Sequence, residues 1–116
     1  MIAHYVPERG DVVWINFSPQ RGHEQSGKRP ALVLSPSVYN EKVGLAIFCP
    51  ITNQVKNFPF EVVITEGLGV KGVILSDHVR SLDWKKRKVK FICKLPRRTI
   101  LEVLQKLNTL TSFEYS

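Results

Sequence analysis

Between Gly22 and Pro30 the chain reads Gly-His-Glu-Gln-Ser-Gly-Lys-Arg-Pro, which places His23, Glu24, Lys28 and Arg29 within seven positions. An imidazole with an ordinary pKa near about 6.5 can give and take a proton at neutral pH. A carboxylate beside an arginine can orient the guanidinium through a charge-assisted bond, or act as a general base. The planar fork of Arg29 suits two phosphate oxygens at once, and Lys28 adds a second cation. Gln25 offers an amide that suits holding the loop more than chemistry. Taken together, these groups can move protons and hold a phosphate.

The positions of these residues depend on the elements around them. Val12–Phe17 and Ala31–Leu34 are apolar runs that read as strands, and the glycines and prolines between them predict a long loop, of a length that is often functional. Leu45–Cys49 is wholly apolar and reads as a buried central strand, while Val38–Gly44 reads as a turn with one short helical turn. Thr52–Pro59 is a second polar loop holding Lys56, Asn57 and Phe58. Phe60–Ile64 and Val73–Leu75 read as further strands around a glycine-rich turn. Lys88–Leu95 alternates with period two, which predicts Val89, Phe91, Cys93 and Leu95 facing inward, with Ile92 breaking the pattern on the outer face. Ile100, Val103, Leu104, Leu107 and Leu110 then fall at helical spacing. Two starts fit that helix, Pro96 in its first turn or a capping box of Thr99 with Glu102. Six or so short strands followed by one amphipathic helix predict a mainly β fold, a small antiparallel barrel or sandwich closed by a C-terminal helix.

The 116 residues suffice for one domain spanning positions 1–116, able to bury roughly two thirds of its unfolded surface. No apolar run approaches the roughly 20 residues of a membrane span, and the N-terminus carries no export signal. Cys49 and Cys93 sit singly in apolar runs without metal-ligand spacing, so reduced core residues, no metal site and a cytoplasmic location are expected. Charge is more informative. Seventeen Lys and Arg stand against ten Asp and Glu, giving +7, and eight of the seventeen fall between Lys85 and Arg98 with no acid among them. Such a balance suits a polyanion, either nucleic acid or an acidic polypeptide, although a solvated face kept for solubility has the same composition.

The Gly22–Pro30 segment resembles the loop signature of the MazF/PemK/Kid toxins, G-x-E-Q-x-G-x-R-P. Five further blocks fall in the family's order: Gly10-Asp-Val-Val-Trp14, Leu34-Ser-Pro36, Pro50-Ile-Thr52, Phe58-Pro-Phe-Glu-Val62 and Ser76-Asp-His-Val-Arg-Ser81. The resemblance covers nearly the whole chain. It implies an SH3-like barrel and a homodimeric toxin neutralised by an acidic, MazE-like antitoxin. The implied activity is a cofactor-free, metal-independent endoribonuclease that cuts single-stranded RNA within short motifs, leaving 2′,3′-cyclic phosphate and 5′-hydroxyl ends. That reaction requires deprotonation of a 2′-OH, charge stabilisation on the phosphorane and a proton for the departing 5′-oxygen.

By resemblance, Arg29 matches the family's catalytic arginine and Thr52 its catalytic threonine. A guanidinium with a pKa above about 12 stabilises charge before it delivers protons, so Arg29 is assigned to the phosphorane. Glu24 either orients Arg29 or takes the 2′-OH proton, and His23, shared with the Kid branch, competes for that role with Glu24 and a phosphate-bound water. Asp77 matches the Kid branch's proposed base, but that branch's arginine two positions earlier is Leu75 here, which favours Arg29 with Thr52. His78 and Arg80 are expected to line the RNA groove. Lys56 and Asn57 resemble a base-reading edge, while Phe58 fits both a stacking ring and a core anchor. Lys85 and Lys86 would attract phosphate without sequence preference. The alternative is a non-catalytic, CcdB-like toxin that binds a protein such as gyrase. Such proteins depend on a terminal Trp-Gly-Ile, where this sequence has Phe-Glu-Tyr-Ser, and they lack the Glu24–Arg29 pairing.

Overall fold

The computed structural model describes residues 4–18 and 27–115. In chain order its elements are β1 (Asp11–Asn16), β2 (Lys28–Val33), α1 (Ser37–Val43), β3 (Leu45–Thr52), β4 (Glu61–Val63), β5 (Val73–Leu75), β6 (Arg80–Asp83), β7 (Lys90–Lys94) and α2 (Arg97–Thr111), followed by a short 3-10 turn. All strand pairs are antiparallel, in the order β4-β5-β3-β2-β1-β7 with β6 added to β3. No pairing between β4 and β7 closes the path among the described residues, so the barrel-like sheet is open.

The central strands are apolar on both faces, and alternation sorts their side chains into two cores. Val12, Leu32 and Cys49 fall on one face, where Val62, Ile74 and Val103 of α2 complete the first core. Val13, Ala31, Val33 and Phe48 fall on the other, with Ile15, Ala46, Leu82 and Trp84. Ile100, Leu104 and Leu107 pack on the first core, as their helical spacing predicts, while Leu110 stays exposed.

β3 organises the molecule. One edge pairs with β2, and the other pairs first with β6 through residues 45–48 and then with β5 through Ile51 and Thr52. The Ile47 carbonyl accepts from Leu34 N–H at 2.8 Å, so by alternation Pro50 faces the opposite edge. There it occupies the gap between β6 and β5, where no strand requires its missing N–H.

Several expectations are corrected. β2 begins at Lys28 rather than Ala31, pairing Arg29 with Ile15 and Lys28 with Asn16, so Lys28 and Arg29 belong to a strand and not to the loop. β3 likewise runs on through Thr52. The 38–44 segment is a helix, α1, held by buried Asn40, which accepts from Ser35 Oγ at 2.5 Å and donates to the Pro7 and Ser35 carbonyls at 2.8 and 3.0 Å. β6 was not legible because Leu82 is its only buried residue. In β7 the register shifts so that Val12 faces Cys93 and Val13 faces Phe91, leaving Ile92 as the extra residue of a bulge. The bulge puts Ile92 and Cys93 together against the first core and turns Phe91 outward, where it meets the Tyr5 ring edge-on at 6.0 Å. At α2 the Pro96 start is the observed one. Pro96 is the N-cap, and Thr99 lies buried within the first turn, so the Thr99–Glu102 capping box does not form.

Candidate active site

Arg29 stands next to Ala31 in alternation, and Thr52 next to Pro50. Since Ala31 pairs with Pro50, carrying the register two residues further sets Arg29 against Thr52, on the face that holds the second core. That core opens here into a cleft of about 280 Å³ lined by Phe17, Arg29, Pro50, Ile51, Thr52, Leu75, His78 and Arg80. Arg80 reaches it from the start of β6, its guanidinium carbon 5.4 Å from the centre of the Phe17 ring. The lining therefore combines two guanidinium groups, an imidazole and a hydroxyl on an apolar floor, with no carboxylate among the described residues. Such a lining attracts an anion and can hold a phosphodiester by fork and hydroxyl together.

Local structure keeps this geometry in place. Thr52 Oγ1 accepts from Gln54 N–H at 3.1 Å, which orients the hydroxyl as the chain leaves β3. Gly72 lies behind it with φ 113, and a Cβ added there would overlap the Thr52 carbonyl oxygen. Only glycine combines that backbone conformation with so close an approach. At the other wall, Arg87 Nη1 donates to the Asn16 and Phe17 carbonyls at 2.9 and 3.0 Å, and Phe17 N–H donates to the Gly27 carbonyl at 2.8 Å. These bonds fasten both ends of the 19–26 connection.

The remaining expected site residues fall into three groups. His23, Glu24 and Gln25 lie outside the described residues. Lys56, Asn57 and Phe58 are exposed on the loop between β3 and β4, with Lys56 Nζ 5.9 Å from the centre of the Phe58 ring. Phe58 is 61% exposed, which excludes the core-anchor reading. Asp77 does not line the cleft, but its carboxylate stands 3.7 Å from His78 Nε2. Lys28 is exposed on β2 beside Arg29.

Lys85 and Lys86 follow β6, and their N–H groups donate to Asp83 Oδ1 at 3.1 and 3.0 Å. Lys85 Nζ lies 5.5 Å from the centre of the Trp84 ring and borders a separate cleft with His4, Tyr5 and Glu41. The basic segment is thus not one continuous face. Arg87 is bound to carbonyls, and Lys94 pairs with Asp11 and Glu8 at 2.9 Å each.

Cys49 is buried, and Cys93 is half-buried; both are free thiols. Burial, helped by the Asp77 charge, pushes the Cys49 thiol up to about 12, so it is no nucleophile at neutral pH. Among the described residues no group of three or more His, Cys, Asp or Glu could hold a metal ion, and no helix is long and apolar enough to cross a membrane. Sequence reasoning missed Phe17, Pro50, Ile51 and Leu75 as lining residues, along with Glu61, Gly72 and Arg87 as supports. For Pro50, Ile51 and Glu61 the advance signal was their place inside the matched blocks.

Comparison with known proteins identifies the family. Residues 8–111 match the model of the PemK-like, MazF-like toxins of type II toxin–antitoxin systems. The chain is 48% identical over 87 residues to the endoribonuclease toxin MazF of Escherichia coli K12, covering 75% of this chain and 78% of that protein. It is 33% identical over 108 residues to the Escherichia coli endoribonuclease PemK, covering 89% and 80%. The crystal structure of MazF from Deinococcus radiodurans superposes with a TM-score of 0.86 at 50% identity, over 95% of this chain and all of that one. The chain belongs to the family of PemK-like, MazF-like toxins of type II toxin–antitoxin systems.

Proposed function

We propose that this chain is a sequence-specific, metal-independent endoribonuclease, the toxin of a type II toxin–antitoxin pair, cutting single-stranded RNA in the cytoplasm to 2′,3′-cyclic phosphate and 5′-hydroxyl ends. The observation that carries this reading is the cleft that brings Arg29, Thr52, His78 and Arg80 together. Relatives that share a third to a half of its residues are endoribonucleases.

Attack of a ribose 2′-OH on the adjacent phosphorus forms the new O–P bond and builds negative charge on the non-bridging oxygens. Arg29 meets that charge with its fork, and the Thr52 hydroxyl donates to the same oxygens. The P–O5′ bond then breaks, and the departing 5′-oxygen takes a proton. Glu24 and His23 are the side chains assigned to proton transfer, with a phosphate-bound water as the third candidate for the 2′-OH proton. Gln25 and Lys28 are assigned to RNA binding. Guanidinium and hydroxyl groups supply the charge stabilisation that a metal would otherwise provide, so no cofactor is invoked. Asn57 and Phe58 read and stack bases beside the cleft, His78 and Arg80 line the path of the strand, and Lys56, Lys85 and Lys86 attract backbone phosphates.

A homodimer bound by an acidic, MazE-like antitoxin completes the reading. Its support is the structure of a MazE–MazF complex from Deinococcus radiodurans, whose chain is 45% identical with a TM-score of 0.84. The test is to incubate the pure protein with a long single-stranded RNA in excess EDTA and map the fragment ends. Discrete cuts bearing cyclic phosphate and 5′-hydroxyl ends are expected. Intact RNA from folded, antitoxin-free protein would instead point to a protein target.

A further inference from the structure

Residues 53–59, between β3 and β4, are all exposed, yet their backbone is tied at both ends. At the start, the Gln54 N–H is bound to Thr52 Oγ1. Towards the end, Lys56 N–H donates to both carboxylate oxygens of Glu61 at 3.3 and 3.2 Å, and Asn57 N–H donates to Oε1 at 3.0 Å. Glu61 itself is 9% exposed. Its N–H donates to the Phe58 carbonyl at 3.1 Å, and its carbonyl accepts from Lys106 Nζ of α2 at 2.9 Å. Asn57 adopts φ 61, the left-handed conformation that asparagine tolerates better than most residues.

A carboxylate removed from water is costly unless its oxygens find donors. Here the donors described are loop amides, while the nearby Lys106 ammonium bonds the Glu61 backbone instead. The loop and the carboxylate therefore hold each other in one arrangement. Because the loop leaves β3 directly from Thr52, that arrangement determines where Asn57 and Phe58 stand relative to the cleft.

We propose that Glu61 is a positioning residue for RNA recognition, its buried carboxylate holding the Lys56 and Asn57 amides so that Asn57 and Phe58 meet the bases next to the cleaved phosphate. The role rests on the nuclease reading and deepens it. Glu61 touches no substrate, and it acts on which sequences are cut rather than on the chemistry of cutting.

The test compares the unsubstituted protein with Glu61→Ala and Glu61→Gln in excess EDTA. Cuts are mapped on a long single-stranded RNA, and kcat and KM are measured on a short oligoribonucleotide carrying the preferred motif and on copies with one base of that motif changed. Glu61→Ala is expected to cut at additional sites and to lose about tenfold in discrimination between matched and altered motifs, the scale that charge-assisted hydrogen bonds can hold. The loss should appear as a raised KM for the preferred motif, with kcat nearly unchanged. Glu61→Gln, which keeps one acceptor oxygen, should fall between. A folded Glu61→Ala protein with the unsubstituted cut map and ratio, or with kcat lowered equally on every substrate, would overturn the proposal. If Glu61→Ala does not fold, Glu61→Gln decides by the same criteria. Failure of the folded, unsubstituted protein to cut any RNA would overturn the nuclease reading and this role with it. Cutting with unaltered specificity in the variants overturns the Glu61 role alone.

Discussion

At the scale of single residues, the roles proposed for the cleft separate charge stabilisation from binding. Arg29→Ala removes the group assigned to the phosphorane while Arg80, His78 and the outlying lysines remain. Cleavage in a single-turnover assay should fall by about a hundredfold or more, the scale of losing one oxyanion donor, with RNA binding weakened but measurable. Cutting at the unsubstituted rate would remove Arg29 from its assigned role. Thr52→Val keeps the branched shape and deletes the hydroxyl, so it should slow cleavage with little change in the thermal transition. A large drop in Tm would make the Thr52–Gln54 bond structural instead. That Arg29 and Thr52 share one cleft was legible in the sequence because a motif of defined spacing singled them out. Phe17 and Leu75 were not, since an apolar side chain lining a cleft looks the same in sequence as one filling a core. Glu61 escaped notice for the opposite reason, because an acid at a strand start reads as a solvated one.

At the scale of elements, strands were read correctly where both faces are buried and incorrectly where they emerge from the core. The central run from Leu45 was plain, but its last residues, like Lys28 and Arg29 at the start of β2, are strand by backbone pairing while their side chains suggest a loop. β6, with one buried residue, gave no periodic signal. The Ile92 bulge reversed the expected facing of Phe91, since one extra residue moves the side chains beyond it to the other face. The helical period of α2 survived because its stripe matches a single continuous core. The support behind Thr52 gives a prediction at this scale. Gly72→Ala combines a φ of 113 with a Cβ driven into the Thr52 carbonyl, so stability should fall by roughly 1–3 kcal/mol, the cost of a strained backbone position. Thermal melts and cleavage rates should fall together. An unchanged Tm would show that the β5 approach relaxes freely.

At the scale of the whole molecule, composition indicated a polyanionic partner but not where the charges would be used. Arg87 and Lys94 serve the fold, while Lys85 and Lys86 stay free of the cleft. Replacing both Lys85 and Lys86 by alanine should flatten the dependence of log affinity for single-stranded RNA on log salt by about 0.7 for each phosphate left unneutralised. An unchanged slope would exclude them from the RNA path. The fold also has an alkaline limit. Burial raises the Cys49 thiol from 9.0 to about 12 and raises Cys93. Tyr5 is raised by burial and by its 2.6 Å bond to Asp11. For Lys94, burial acts downward but the bonds to Glu8 and Asp11 outweigh it. Each group holds its proton longer when folded than unfolded, and the share of stability from Cys49 is complete below about pH 9 and is lost as pH rises towards 12. Tm should decline steadily between about pH 9 and 11, and a flat profile would contradict it. Finally, the register that sets Arg29 against Thr52 has a consequence for diversification. Arg29 and Thr52 lie at the ends of neighbouring strands, whereas the 53–59 connection leaves β3 from Thr52 and is exposed throughout. Exchanges in that connection can alter what is recognised while Arg29 and Thr52 stay in place, which makes the chain a platform for nucleases reprogrammed by loop grafting.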